Sequence, residues 1–84
     1  MVAQGEDQWE ADGALTLDDL QRFAGVSLPR SADYMTISGL VLEQLGRLPD
    51  VGDAVEVAGV RITVLAMEKR RIARLRVERL DGMA

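Results

Sequence analysis

The stretch AVEVAGVRITVLAMEKRRIARLRVERL, from Ala54 to Leu80, constrains the fold of this chain most, because its apolar residues recur at every second position. Period two is the pattern of a strand with one buried face, and it is incompatible with a helical stripe. Val55 and Val57 precede a turn at Ala58 and Gly59, and Val60, Ile62, Val64 and Ala66 then continue the alternation, so the pair reads as a hairpin. EKRR, residues 68–71, makes the next turn. A last strand follows, with Leu75 and Val77 on one face and Arg74, Arg76 and Glu78 on the other. Ile72 has the wrong parity for that strand, which places a bulge or the end of the turn near Ala73.

Upstream, two segments carry helical signals. Thr16 is an N-cap, Asp18 and Asp19 sit in the first turn where the helix dipole favours negative charge, and Gly25 is placed to stop a helix over about Leu17–Ala24. Leu20, Phe23 and Ala24 fall on one face of it. After the connecting loop VSLPRSADYM, Thr36 caps a second helix. Its apolar stripe runs through Ile37, Leu40, Val41 and Leu45, with Leu48 at its margin, and Gly46 can end it. Gly39 costs roughly 1 kcal/mol relative to alanine inside a helix, so another backbone is expected to approach closely there. LPDVGD turns the chain into the strand-rich tail.

The first residues are less informative. Residues 1–6 are polar and aperiodic and read as a linker or an expression remnant, and residues 81–84 as a C-terminal tail, leaving 7–80 as the folded domain. DQWEA, residues 7–11, fits a short strand. Asp12-Gly13 is a hairpin signal, with ALT as the return strand. The order is hairpin, two helices, three strands: an α+β fold, with a small antiparallel sheet and two helices packed on one face.

Composition closes off much chemistry. With 84 residues, 48% hydrophobic and 29% charged, the chain is one small folded domain and not a disordered tail. It has no cysteine and no histidine, which removes disulfides, thiolate metal sites and the commonest acid–base group at neutral pH. No nucleotide-binding glycine pattern and no nucleophile–base arrangement occurs, so a catalytic site is not expected. No apolar run is long enough to cross a bilayer, and the isolated domain is expected to be soluble. The net charge of −4 divides unevenly: residues 1–50 hold 9 acidic and 3 basic side chains, residues 51–84 hold 5 and 7. Nucleic acid is therefore not an expected partner. An RNA-binding module, suggested by the VGD turn feeding a short-stranded sheet, is the weakest alternative.

Several polar groups invite a functional reading. Asp18 and Asp19, with Asp12 and Glu10 nearby, could furnish a magnesium site, but helix-end electrostatics account for the pair without a metal. Asp50 and Asp53 flank a turn glycine, where aspartates satisfy backbone amides. Tyr34, Thr36 and Trp9 have packing and capping roles available. The cationic run Lys69, Arg70, Arg71, Arg74 and Arg76 is the candidate interaction or anion-binding surface. Its alternatives are a solvated strand face, an acidic partner domain or lipid headgroups, and a phosphate-bearing ligand.

From about Trp9 to Arg79 the chain resembles the transporter-associated, or CorC/HlyC, domain. The resemblance rests on an ordered set: ADGALTLDDL, then YMTISGLVLEQLGRLPDVGD, then VRITVLAMEKRRIARLRV. It implies a small α+β fold related to part of a flavin-binding domain, although no flavin-binding side chains can be matched here and no cofactor is expected. The resemblance also implies a C-terminal, non-enzymatic accessory or regulatory domain of a bacterial membrane protein of magnesium and cobalt efflux or haemolysin-like type. Its partners would then be neighbouring domains of the parent chain, a CBS pair and the membrane region, on the cytoplasmic side of the inner membrane, with homodimerisation left open. A module sensing a nucleotide or a divalent cation is the alternative.

Overall fold

The computed structural model describes residues 1–80; the expected tail at 81–84 lies outside the described residues. Five strands and two helices follow the order β1 (Val2–Gly5), β2 (Gln8–Asp12), α1 (Leu17–Ala24), α2 (Ile37–Leu45), β3 (Ala54–Val57), β4 (Val60–Glu68) and β5 (Arg71–Arg79). The strands form one antiparallel sheet in the order β1-β2-β5-β4-β3. This is the α+β arrangement expected from the sequence.

One face of the sheet is buried. Trp9 and Ala11 of β2, Val55 of β3, Val60, Ile62 and Val64 of β4, and Ile72, Leu75 and Val77 of β5 pack with Leu17 and Leu20 of α1 and Ile37, Leu40 and Val41 of α2. The opposite face carries the alternate residues and faces water. Burying this single apolar layer is the main favourable term available to so small a domain.

Both helices begin and end as their sequences direct. The hydroxyl of Thr16 accepts the Asp19 N–H at 3.1 Å, and that of Thr36 accepts the Gly39 N–H at 3.1 Å. Gly25 and Gly46 close the helices in the left-handed conformation, with φ of 68° and 70°. The two caps are also tied to each other: the Leu17 N–H donates to the Met35 carbonyl and the Ile37 N–H to the Leu15 carbonyl, each at 3.0 Å. The helix N-termini are thereby fixed side by side.

Four expectations change. Residues Val2–Gly5, read as linker, form an edge strand paired to β2, even though all four are exposed. The Asp12-Gly13 pair is not a hairpin turn, and residues 14–16 form no return strand. Asp12 Oδ1 instead accepts the Ala14 N–H at 2.9 Å, turning the chain out of the sheet toward α1. The Gly13 N–H donates to the Ala73 carbonyl at 2.9 Å, and a Cβ at Gly13 would collide with the Ile72 carbonyl. Phe23, grouped with Leu20 by its spacing, is 63% exposed, and the buried residues of α1 are Leu17 and Leu20 instead. At Gly39 the close neighbour is the Tyr34 Cβ, 2.8 Å from where a Cβ would stand, not the backbone of another element.

The bulge does occur where parity required it. The β4–β5 register shifts between Ala66↔Arg74 and Met67↔Ile72, which leaves Ala73 unmatched and turns Ile72 into the core.

Candidate functional site

The five candidate cations lie on the β4–β5 hairpin, and the structure separates them. Glu68 and Arg71 are opposed across the turn, and the Arg71 guanidinium donates to Glu68 Oε1 at 3.0 Å. Lys69 and Arg70 form the tip between them, both exposed, with Lys69 in the left-handed region at φ 59°. Arg74 and Arg76 lie beyond the Ala73 bulge on the open face of the sheet. Arg74 donates to Glu10 on β2, so its charge is neutralised across the sheet. Arg76 is directly opposite Glu10 in register, yet Glu10 is engaged diagonally by Arg74.

Pairing therefore sorts the cations. Among the described residues, Lys69, Arg70 and Arg76 have no ion-pair partner. Every other arginine has one: Arg22 with Asp19, Arg30 with Asp18, Arg47 with Asp53, Arg61 with Glu56, Arg71 with Glu68, Arg74 with Glu10 and Arg79 with Asp7. The rest of the open face alternates in sign, with Gln8 donating to Glu78 at 3.1 Å and Arg61 donating to Glu56 at 3.0 Å. Exposed pairs of this kind contribute at most about 1 kcal/mol each, but they leave the unpaired cations as the distinguishing feature of the surface.

The acidic candidates have structural partners. Asp18 binds Arg30, and Asp19 sits under the Thr16 cap. Asp53 Oδ2 accepts from Arg47 at 2.9 Å and from the Asp50 N–H at 2.8 Å. The hydrogen bond from Arg47, and then that from the Asp50 amide, hold the Asp53 carboxyl below the usual aspartate range, and Asp53 in turn raises Arg47. Among the described residues, no group of three acidic side chains converges into a closed metal cage. The three other singled-out residues are also structural. Tyr34 donates to the Pro29 carbonyl at 2.9 Å, Thr36 caps α2, and Trp9 is 9% exposed in the core.

One residue was missed by the sequence reading. Arg79 donates to the Ala24 carbonyl at 2.9 Å, at the C-terminus of α1, while its guanidinium lies 5.4 Å from the Trp9 ring centroid and pairs with Asp7. Its parity, shared with Leu75 and Val77, was the available signal that this charged side chain turns inward.

A shallow cleft separates the hairpin from the helix N-termini, with Gly13, Thr36, Ser38, Arg71 and Ile72 among its lining residues. Asp12 and Glu68 also line it, so it lacks the uniformly positive field of an anion site.

The same α+β fold is found in known proteins. The family model described as transporter associated domain, CorC/HlyC, matches residues 2–81. The chain belongs to this family. A transporter associated domain from a Xylella fastidiosa hemolysin, determined in complex with Mg2+ and Mn2+, is 30% identical with a TM-score of 0.81, covering 96% of this chain and 98% of that one. A region from Neisseria meningitidis MC58, described as associated with an Mg2+ and Co2+ transporter, is 32% identical with a TM-score of 0.82, over 93% of this chain and 95% of that one. The polyamine export protein of Escherichia coli K12 is 34% identical across 100% of this chain, but the match occupies 19% of its length. Transporter associated domains thus occur as parts of much longer proteins, of which this chain spans about a fifth. No helix among the described residues is long and apolar enough to cross a membrane.

Proposed function

We propose that this chain is a non-enzymatic regulatory domain of a larger membrane cation-transport or hemolysin-like protein, and that it acts by docking on a neighbouring domain and biasing that domain's conformation. The observation that carries the reading is the family match across nearly the whole chain, combined with relatives about five times as long whose names include an export protein. Magnesium and cobalt are the cargo suggested by the Neisseria relative, and a polyamine is the cargo suggested by the Escherichia one. Both are cations, and the domain's role is the same for either. The neighbours would be a CBS pair and a membrane region on the cytoplasmic side. A ligand or partner shifts such a neighbour only by its differential affinity for the two conformations, so docking must discriminate between transport states.

The test is cation flux from cells carrying the full-length parent protein with and without this domain. Flux that keeps its magnitude and its dependence on cation concentration after deletion would refute the regulatory reading.

A second reading, divalent-cation sensing, is favoured by the Xylella relative's complex with Mg2+ and Mn2+. Ligand at 100 times its Kd stabilises a fold by about 2.7 kcal/mol, so a raised Tm in millimolar MgCl2 or MnCl2, absent in matched NaCl, is its expected sign.

A further inference from the structure

We infer that Lys69, Arg70 and Arg76 form a docking strip for an acidic protein segment that presents carboxylates at two separated places. The inference rests on the docking reading above and specifies the chemistry of the partner.

The first observation is selective neutralisation. In a chain with fewer cations than anions, each of the other arginines is held by a carboxylate, while these three are exposed and unmatched among the described residues. The second is their placement. Lys69 and Arg70 project at the turn joining the two longest strands, and Arg76 lies six positions along β5. At about 3.3 Å per residue this is roughly 20 Å, too far for one ion to bridge and suited to an extended segment. The third is conformational: Lys69 adopts φ 59°, a region where glycine or asparagine is less strained. The equivalent turn of the β3–β4 hairpin uses the small pair Ala58-Gly59.

The surroundings choose among anionic partners. Adsorption to an anionic membrane draws on clusters of about four to eight cations, usually with apolar side chains beside them. Three cations are available here, and the large exposed apolar residues, such as Phe23, Met35 and Val51, lie on other elements. A single phosphate needs convergent donors with no competing anion, whereas the Glu68 carboxylate lines the same hollow as Lys69 and Arg70. Carboxylates on a protein segment fit both the spacing and the arginine fork.

The experiment measures binding in trans between this chain, labelled at an introduced Ser27→Cys, and the remainder of the parent polypeptide in nanodiscs. Solved relatives consisting almost entirely of this domain show that such a unit folds alone. The expected result is an affinity that falls as salt rises. Lys69→Glu/Arg70→Glu should weaken it at least about tenfold, Arg76→Glu should weaken it further, and the control Arg22→Glu should leave it unchanged. Lys69→Gly should weaken binding while leaving Tm equal or higher, which separates recognition from folding. Binding by the wild type that is indifferent to the hairpin reversals would overturn the acidic-segment inference and leave docking standing. No binding by the wild type at any salt concentration would overturn docking itself, and this inference with it. Two further results would also overturn it: flotation of the chain with phosphatidylglycerol vesicles that the reversals abolish, or a Tm raised by inorganic phosphate.

Discussion

Gly39→Ala sets two effects of known size against each other. Gly39 stands in the first turn of α2, where alanine is better than glycine by at most about 1 kcal/mol, so propensity alone predicts stabilisation. The added Cβ, however, would stand 2.8 Å from the Tyr34 Cβ and 3.4 Å from Thr36 Oγ1. A comfortable carbon–carbon contact is about 3.5–4.0 Å, so one group must retreat by roughly 0.7 Å. Neither yields easily. Tyr34 is anchored through its hydroxyl to the Pro29 carbonyl at 2.9 Å, and the opposed atom is at the root of its side chain. Thr36 Oγ1 is the N-cap acceptor for the Gly39 N–H itself. Overpacking costs about 1–3 kcal/mol and a weakened cap about 0.5–2, so the clash exceeds a propensity gain of about 1 and the net loss is about 0.5–4 kcal/mol. Urea denaturation followed by Trp9 fluorescence measures this directly, with an unchanged m-value showing that only stability moved. Gln44→Gly, at an exposed site of the same helix, calibrates the propensity term. Tyr34→Ala keeps the opposing Cβ but frees it from the Pro29 anchor and should keep only part of the penalty, whereas Tyr34→Gly removes that Cβ and should leave only the share due to Thr36 Oγ1. A Gly39→Ala protein as stable as the wild type or more so would refute the argument.

Gly13→Ala should be more severe, at least about 3 kcal/mol, because the new Cβ meets the Ile72 carbonyl and backbone cannot swing aside; equilibrium unfolding midpoints within error of the wild type would contradict it. Arg79→Met keeps much of the side chain's bulk but removes the donor to the Ala24 carbonyl, the contact over Trp9 and the Asp7 pair. It is expected to lose about 1–2 kcal/mol in the same assay, with a shifted Trp9 emission as a second readout. Asp53 gives a pH signature. Its folded pKa is depressed, so its contribution is present above the ordinary aspartate pKa and is lost as pH falls through the lower folded value. Asp53→Asn should therefore flatten the acid limb of stability against pH, and an unchanged limb would show that the Arg47–Asp53 pair carries no linkage.

What the sequence determined by itself is what depends on neighbours a few residues away. Thr16 and Thr36 reach only to the amide three positions on, Gly25 and Gly46 answer a local need for positive φ, and strand parity is set by the pleat. Even the bulge at Ala73 was legible, because Ile72 and Leu75 cannot share a face without one. The tertiary structure alone decided the matters that join distant segments. Val2–Gly5 show no buried residue and become a strand only because β2 offers them its edge. Asp12-Gly13 has hairpin chemistry, but the Ile72–Ala73 backbone, far along the chain, captures Gly13 and redirects the turn. The basic run was legible as a run, yet charge is neutralised through space: pairing β2 with β5 gives Arg74 to Glu10 and Arg79 to Asp7, and Arg76 is left unmatched among the described residues. Which cations remain available to a partner follows from strand order, a property of long-range pairing that local spacing does not encode.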